Sequence, residues 1–197
     1  MQLILASQSP RRRELLTQMG FSDFMICPAQ GEEVIDPALT PGQLVEALSR
    51  QKAAEVAHTA PDAVVIAADT VVTADGRVLG KPQSKEDAAA MLRFLSGRTH
   101  TVYTGVTVQQ NTQISTQHEA TQVRFRPLTQ EEISAYIASR EPMDKAGAYG
   151  IQGLGALLVE GIEGDYFNVV GLPICRLGQM LAEFGIDPLC KKKEPIL

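Results

Sequence analysis

The chain has no tryptophan, and aromatic residues make up only 5% of its 197 positions. It therefore lacks the stock of rings that a base-stacking, single-strand-binding platform needs. It also lacks a basic excess. The formal net charge is −5, which excludes a broad duplex-binding face but leaves room for a local basic pocket. Cysteine is scarce: Cys27, Cys175 and Cys190 are far apart, odd in number and form no CxxC pair. A disulfide framework or zinc site is not expected, and a reducing, cytoplasmic compartment is. No apolar run approaches the roughly 18 residues of a membrane span. The first apolar run, Leu3–Ala6, is four residues long without a basic lead, so no signal peptide is expected. No repeat, low-complexity tract or linker composition breaks the chain. With 44% hydrophobic and 21% charged residues, it reads as one soluble domain over 1–197 with a sizeable core. The basic tail CKKKEPIL reads as a solvated terminus.

Apolar runs alternate with helical periodicities. "LILA" reads as a buried strand, "SQSP" as a turn, and Ser9-Pro10 as the N-cap and first residue of a helix. Residues 21–28 read as a second strand. Residues 41–60 read as a helix with Leu44, Ala47, Leu48, Ala54 and Ala57 on one face. "AVVIAADTVVT" at 63–73 reads as a strand buried on both faces. "ADGR" predicts a hairpin to a short strand at 77–80. Ser84 and Asp87 suggest a capping box for a helix over 84–95, and Thr129 with Glu132 does so for one over 129–139. Strands are predicted at 99–109, 113–125, 156–161 and 166–170, and a last helix from Pro173 to Phe184. The sum is an α/β or α+β chain with a mixed sheet.

Several residues stand out chemically. "PRRR" places Arg11, Arg12 and Arg13 in the first turn of a helix, where the dipole disfavours cations by about 0.3–1 kcal/mol each. An anion docked there would reverse that sign. Asp69 lies inside "VVIAADTVV". A carboxylate in a doubly buried strand must be paired, hydrogen-bonded or metal-bound, so Asp69 is either structural or part of a site. Thr70 beside it is placed to orient a water or substrate oxygen. Lys81 follows a turn in "LGKP". The stretch from Gly76 is not a Walker loop, because three residues separate its glycines and proline follows the lysine. Lys81 is then either an ordinary surface lysine or a point charge for phosphate. Glu32-Glu33 and Lys52 taken alone read as a solvated acidic pair and a helix-surface lysine. "AGAYGIQGLGA" is glycine-rich without the dinucleotide spacing, and its Gln152 carries an amide able to read a base edge. His58, His100 and His118 have no metal-ligand spacing and read as structural or surface residues. The absence of G-x-S-x-G weakens a hydrolase triad.

Eight segments occur in one order: LASQSPRRREL, EE, QKA, AADTVV, LGKP, LSGRTHTVYTGV, EPMDKAGAYGIQG and VVGLP. In this the chain resembles the Maf family of nucleoside triphosphate pyrophosphatases, from about Leu3 to Phe184. The resemblance implies a mixed α/β fold related to the inosine-triphosphate pyrophosphatases, with a cleft between two lobes. It implies cleavage between the α- and β-phosphates with a divalent metal cation, Mg²⁺ or Mn²⁺. By position it puts the general base on Asp69 and phosphate-binding lysines on Lys52 and Lys81. Ser7, Arg11 and Arg12 fall on the triphosphate and base-proximal region, with Arg13 facing solvent. The metal falls on Glu33, or Glu32 if loop lengths differ, with Asp69 as a second ligand. Thr70 and Gln152 fall on positions tied to base choice, and "SPRR" with "AGAYGIQG" looks like the branch acting on dTTP and UTP. The implied partner is a nucleoside triphosphate, canonical or with a modified pyrimidine, and neither nucleic acid nor membrane; a homodimer is compatible. The competing reading is a nucleotide-binding regulator of septum formation that needs no turnover.

Overall fold

A computed structural model describes residues 2–33, 36 and 38–189 of the chain. The basic tail lies outside the described residues. A seven-stranded mixed sheet organises the molecule, with main order β2-β1-β3-β5-β6-β7. Its strands are β1 Leu3–Leu5, β2 Met25–Ile26, β3 Val64–Ala74, β4 Arg77–Leu79, β5 Thr99–Gln110, β6 Gln113–Phe125 and β7 Val159–Glu163. β1 is parallel to β2 and β3, and the other pairings are antiparallel. Among the described residues six α-helices flank it: α1 Pro10–Gln18, α2 Pro41–Thr59, α3 Lys85–Leu95, α4 Gln130–Ala138, α5 Tyr166–Val170 and α6 Ile174–Glu183. Among the described residues no helix is long and apolar enough to cross a membrane.

β3 decides where a site can form. One of its edges pairs with β5 continuously from Val65 to Thr73. The opposite edge pairs with β1 over Val64–Ile66 and with β4 over Val72–Ala74. Residues 67–71 therefore have a strand on one side only. An interruption of this kind in a packed sheet is a natural place for a ligand. Asp69 and Thr70 sit in it, and because side chains alternate they point to opposite faces. The core divides around the same point. Leu3, Leu5, Leu15, Leu16, Val64, Ile66, Leu177 and Leu181 pack under α1 and α6, whereas Val72, Leu92, Leu95, Phe125, Ile133 and Tyr149 pack under α3 and α4.

On the remaining face α2 lies tight on the sheet. Gly105, the cross-strand partner of Asp69, has no room for a side chain: an added Cβ would fall 2.2 Å from the Val45 carbonyl oxygen. That close approach brings α2 within reach of the Asp69 carboxylate.

Most predicted elements form. Ser9 caps α1 by accepting from the Arg12 amide, Pro10 opens the helix, and Asp75 and Gly76 turn the hairpin with positive φ. At Thr129 both halves of the capping box are made. At Ser84 only half is: Asp87 Oδ2 accepts instead from the Gln83 amide at 2.9 Å. Four expectations change. Residues 166–170 are not a strand but the helix α5, because Asp165 caps the Phe167 amide and Gly171 ends the turn in the left-handed region at φ 117°. The strand expected at 156–161 starts later, at Val159, after a 3-10 segment Gly153–Leu158. The second strand shrinks to Met25–Ile26, an exposed edge. On α2, Ala47 and Ala54 are exposed, and Val45, Ala53 and Val56 join Leu44, Leu48 and Ala57 inside.

Candidate active site

A cavity of about 440 Å³ opens at the interruption in the sheet. Ser7, Arg11, Arg12, Glu33, Lys52, Asp69, Thr70, Lys81 and Gln152 all line it, although they are spread over most of the chain. Glu32 is exposed outside it; among the described residues only its main-chain carbonyl is engaged, accepting from Gln51 Nε2 at 2.6 Å. Arg13 is exposed, away from the cavity.

On the α2 face, Lys52 pairs with both carboxylates. Its Nζ lies 2.8 Å from Glu33 Oε1 and donates to Asp69 Oδ1. The Lys52 hydrogen bond holds Glu33 below the usual carboxylate range, with the Lys52, Lys81 and Arg12 charges adding to it against the cost of burial. Lys52 is thus no free surface lysine. It lies one side-chain length from the sheet because Gly105 lets α2 in.

On the opposite face, Arg12 is tied three ways. Its Nε donates to the Gly171 carbonyl at 2.8 Å, Nη1 to Ser7 Oγ at 3.2 Å and Nη2 to Thr70 Oγ1 at 3.1 Å. Loss of hydration lowers the guanidinium pKa, and the Asp69 charge opposes that. Thr70 Oγ1 is also 2.9 Å from Thr104 Oγ1, and Thr104 donates to the Asn168 carbonyl at 2.9 Å. Three N–H groups are spent on this frame, and the guanidinium fork still has two to offer a ligand. Gly171 at its positive φ is what turns that carbonyl toward Arg12.

The far wall carries Lys81, Asp144, Lys145, Tyr149 and Gln152. The Lys81 ammonium and the Gln152 amide make no hydrogen bond among the described residues. Tyr149 is fixed from behind: its hydroxyl is 2.7 Å from His100 Nε2, and both rings pack edge-on against Phe125. Burial lowers the His100 pKa to about 4. His100 is therefore a neutral support beneath the wall, as its lack of ligand spacing implies. His118 instead pairs with Glu46 at the surface, 2.7 Å away.

Asp144, Lys145 and Tyr149 were not singled out from sequence. Asp144 and Lys145 lie in EPMDKAGAYGIQG, but a neighbouring Asp-Lys pair carries no signal until the fold places it beside α1.

Five cationic side chains, Arg11, Arg12, Lys52, Lys81 and Lys145, line the cavity against three carboxylates, Glu33, Asp69 and Asp144. In a protein of net charge −5 this is a local reversal of sign, as an anionic ligand requires. No group of three or more His, Cys, Asp or Glu residues forms a closed metal site among the described residues. Two carboxylates converging on one ammonium do suit a small hard cation that completes its shell with water and phosphate oxygens.

A family model described as Maf-like protein matches residues 2–184. The chain is 57% identical over 187 residues to the dTTP/UTP pyrophosphatase of Moorella thermoacetica, covering 94% of this chain and 96% of that one. To the dTTP/UTP pyrophosphatase of Bacillus pumilus it is 54% identical, covering 95% and 98%. Among solved structures it is similar in fold to a HAM1 protein from Coxiella burnetii, with a TM-score of 0.53 at 15% identity, covering 93% of this chain and 99% of that one.

Proposed function

The chain belongs to the Maf family, and from that premise we propose that it hydrolyses dTTP and UTP to the nucleoside monophosphate and pyrophosphate. The observation that carries this reading is the cation-rich cleft at the interrupted edge of β3, with Asp69 at its centre. Near full-length identity of 54–57% to enzymes named for that reaction supports the choice of substrate.

Each side chain then has a task. Asp69 accepts a proton from a water attacking the α-phosphorus in line with the leaving pyrophosphate. Lys52 holds Glu33 and Asp69 in register. Arg12, already fixed by Ser7, Thr70 and Gly171, aims its remaining N–H groups at phosphate oxygens without having to reorganise. Lys52 and Lys81 offset the charge that builds on the leaving group. Glu33 and Asp69 would hold a divalent cation, Mg²⁺ or Mn²⁺, which when bound neutralises phosphate charge and acidifies water. Gln152 reads the O4/N3 edge of uracil or thymine with an amide that the wrong base leaves unpaired. The same reading takes residues 1–197 as one domain working in the cytoplasm on a small-molecule substrate.

The test is pyrophosphate release by the purified chain with Mg²⁺ or Mn²⁺ across dTTP, UTP, CTP, ATP, GTP and 7-methyl-GTP. Release confined to dTTP and UTP is the expected result. Equal release from all six would remove the base-reading role. Binding without release from any would return the chain to the regulator class, which nothing in the site favours: a binding protein has no need of a base beside the phosphates.

A further inference from the structure

One charged cluster in the cleft has no task in that chemistry. Asp144 closes the short 3-10 turn Glu141–Asp144 on the far wall. Its Oδ2 accepts from Arg11 Nη1 at 3.1 Å, and its Oδ1 accepts from Lys145 Nζ at 2.7 Å. A single carboxylate therefore ties the first turn of α1 to the opposite wall. Both attractions hold Asp144 below the usual carboxylate range despite its partial burial, so it is ionised at neutral pH.

The two cations depend on it differently. Arg11 has no other side-chain partner among the described residues. Lys145 has a second anchor in the main-chain carbonyl of Glu141. The Lys145 stem also lies so close to Gly150 that a Cβ there would meet its Cε at 2.8 Å. Lys145, only 13% exposed, keeps these two contacts whether Asp144 is beside it or not, whereas Asp144 itself is 60% exposed.

A carboxylate offers two oxygens and one negative charge. A phosphate offers more of both, and forks of guanidinium and ammonium bind it more strongly. We propose that Asp144 is an exchangeable counter-ion: it keeps Arg11 and Lys145 in place as a phosphate subsite, yields them to the polyphosphate of an arriving nucleotide, and reclaims them to expel pyrophosphate. This rests on the pyrophosphatase reading and deepens it. A nucleotide anchored through its base wins the exchange, whereas free pyrophosphate, without that anchor, competes less well. The exchange sets product release against substrate capture.

The experiment is calorimetric titration of inorganic pyrophosphate with Mg²⁺ into the wild-type chain, Asp144→Asn, Lys145→Met and the double variant, each checked for its melting temperature. Asn keeps the shape and removes the competing charge. It should tighten pyrophosphate binding roughly three- to tenfold. Lys145→Met should weaken it several-fold and should cancel much of the gain in the double variant. In steady state, Asp144→Asn should show stronger product inhibition by pyrophosphate and a lower KM for dTTP. Unchanged or weaker pyrophosphate binding by a folded Asp144→Asn chain would overturn the proposal, as would a wild-type chain that binds no pyrophosphate. The calorimetric readings involve no turnover. Failure of the wild-type chain to hydrolyse dTTP would sink the pyrophosphatase reading on its own.

Discussion

The two walls of the cleft are built on opposite plans. On the β1–β3–α2 side every charged group is already spoken for: Arg12 by Ser7, Thr70 and Gly171, and Lys52 by Glu33 and Asp69. On the other side Lys81, just after β4, and Gln152, on the loop that the His100–Tyr149 pair anchors from behind, have side-chain polar groups with no hydrogen-bond partner among the described residues. Buried charge has to be paired within the fold, because desolvating it alone costs several kcal/mol. Exposed amides and ammoniums are satisfied by water until a ligand replaces it. The first wall is thus preorganised for what all nucleoside triphosphates share. The second keeps Lys81 open for a phosphate and Gln152 open for the base edge.

The largest expected effect is at the centre of the committed wall. Asp69→Asn should cut pyrophosphate release about a thousandfold while nucleotide still binds. A near wild-type rate would show that the proton goes elsewhere. The contrast between walls is tested most directly by a pair of variants. Arg12→Met breaks three hydrogen bonds from one charged group and should cost about 2 kcal/mol, lowering the melting temperature by about 4–8 °C. Lys81→Met should move it by no more than about 1–2 °C. Both should slow turnover. Equal thermal shifts would erase the distinction.

The support beneath the second wall titrates. His100 has its pKa lowered from 6.5 to about 4 by burial. The unfolded chain therefore takes up a proton that the folded chain refuses, and the His100 contribution to stability is full above about pH 6.5 and lost as pH falls toward 4. Between about pH 7 and about pH 5 the loss should be about 2 kcal/mol. Urea midpoints for wild type and His100→Gln should converge as pH drops; parallel curves would exclude His100 as the titrating group. The smallest change in rate is expected at Gln152. Gln152→Ala should leave stability alone and reduce the preference for dTTP over GTP about tenfold, with a lesser loss on dTTP itself. An unchanged ratio would move base reading to another residue on that wall.

What was legible in sequence was local. Ser9-Pro10 announces a helix start, the β-branched run around Asp69 a buried strand, and Asp75-Gly76 a hairpin, because caps, side-chain periodicity and positive-φ turns act over a few residues. The short stretch 166–170 misled for the same reason: its apolar residues suit a strand, and only the Asp165 cap and the Gly171 terminus make it a helix. Lys52, Glu33 and Lys81 carry no signal in isolation, and only the ordered set of segments marked them. Asp144 and Lys145 were not legible even so, since an ion pair reaching 133 residues along the chain leaves no pattern at either end.

The sequence by itself determined the element types, the burial of β3 and the presence of a carboxylate where none can be left unpaired. Tertiary structure decided the partners. The interrupted pairing of β3 opened one edge at residues 67–71, the missing side chain at Gly105 let α2 bring Lys52 to Asp69, and Gly171 turned a carbonyl toward Arg12. Local patterns report the cost of burying a charge, whereas its repayment comes from groups that meet only when the chain has closed.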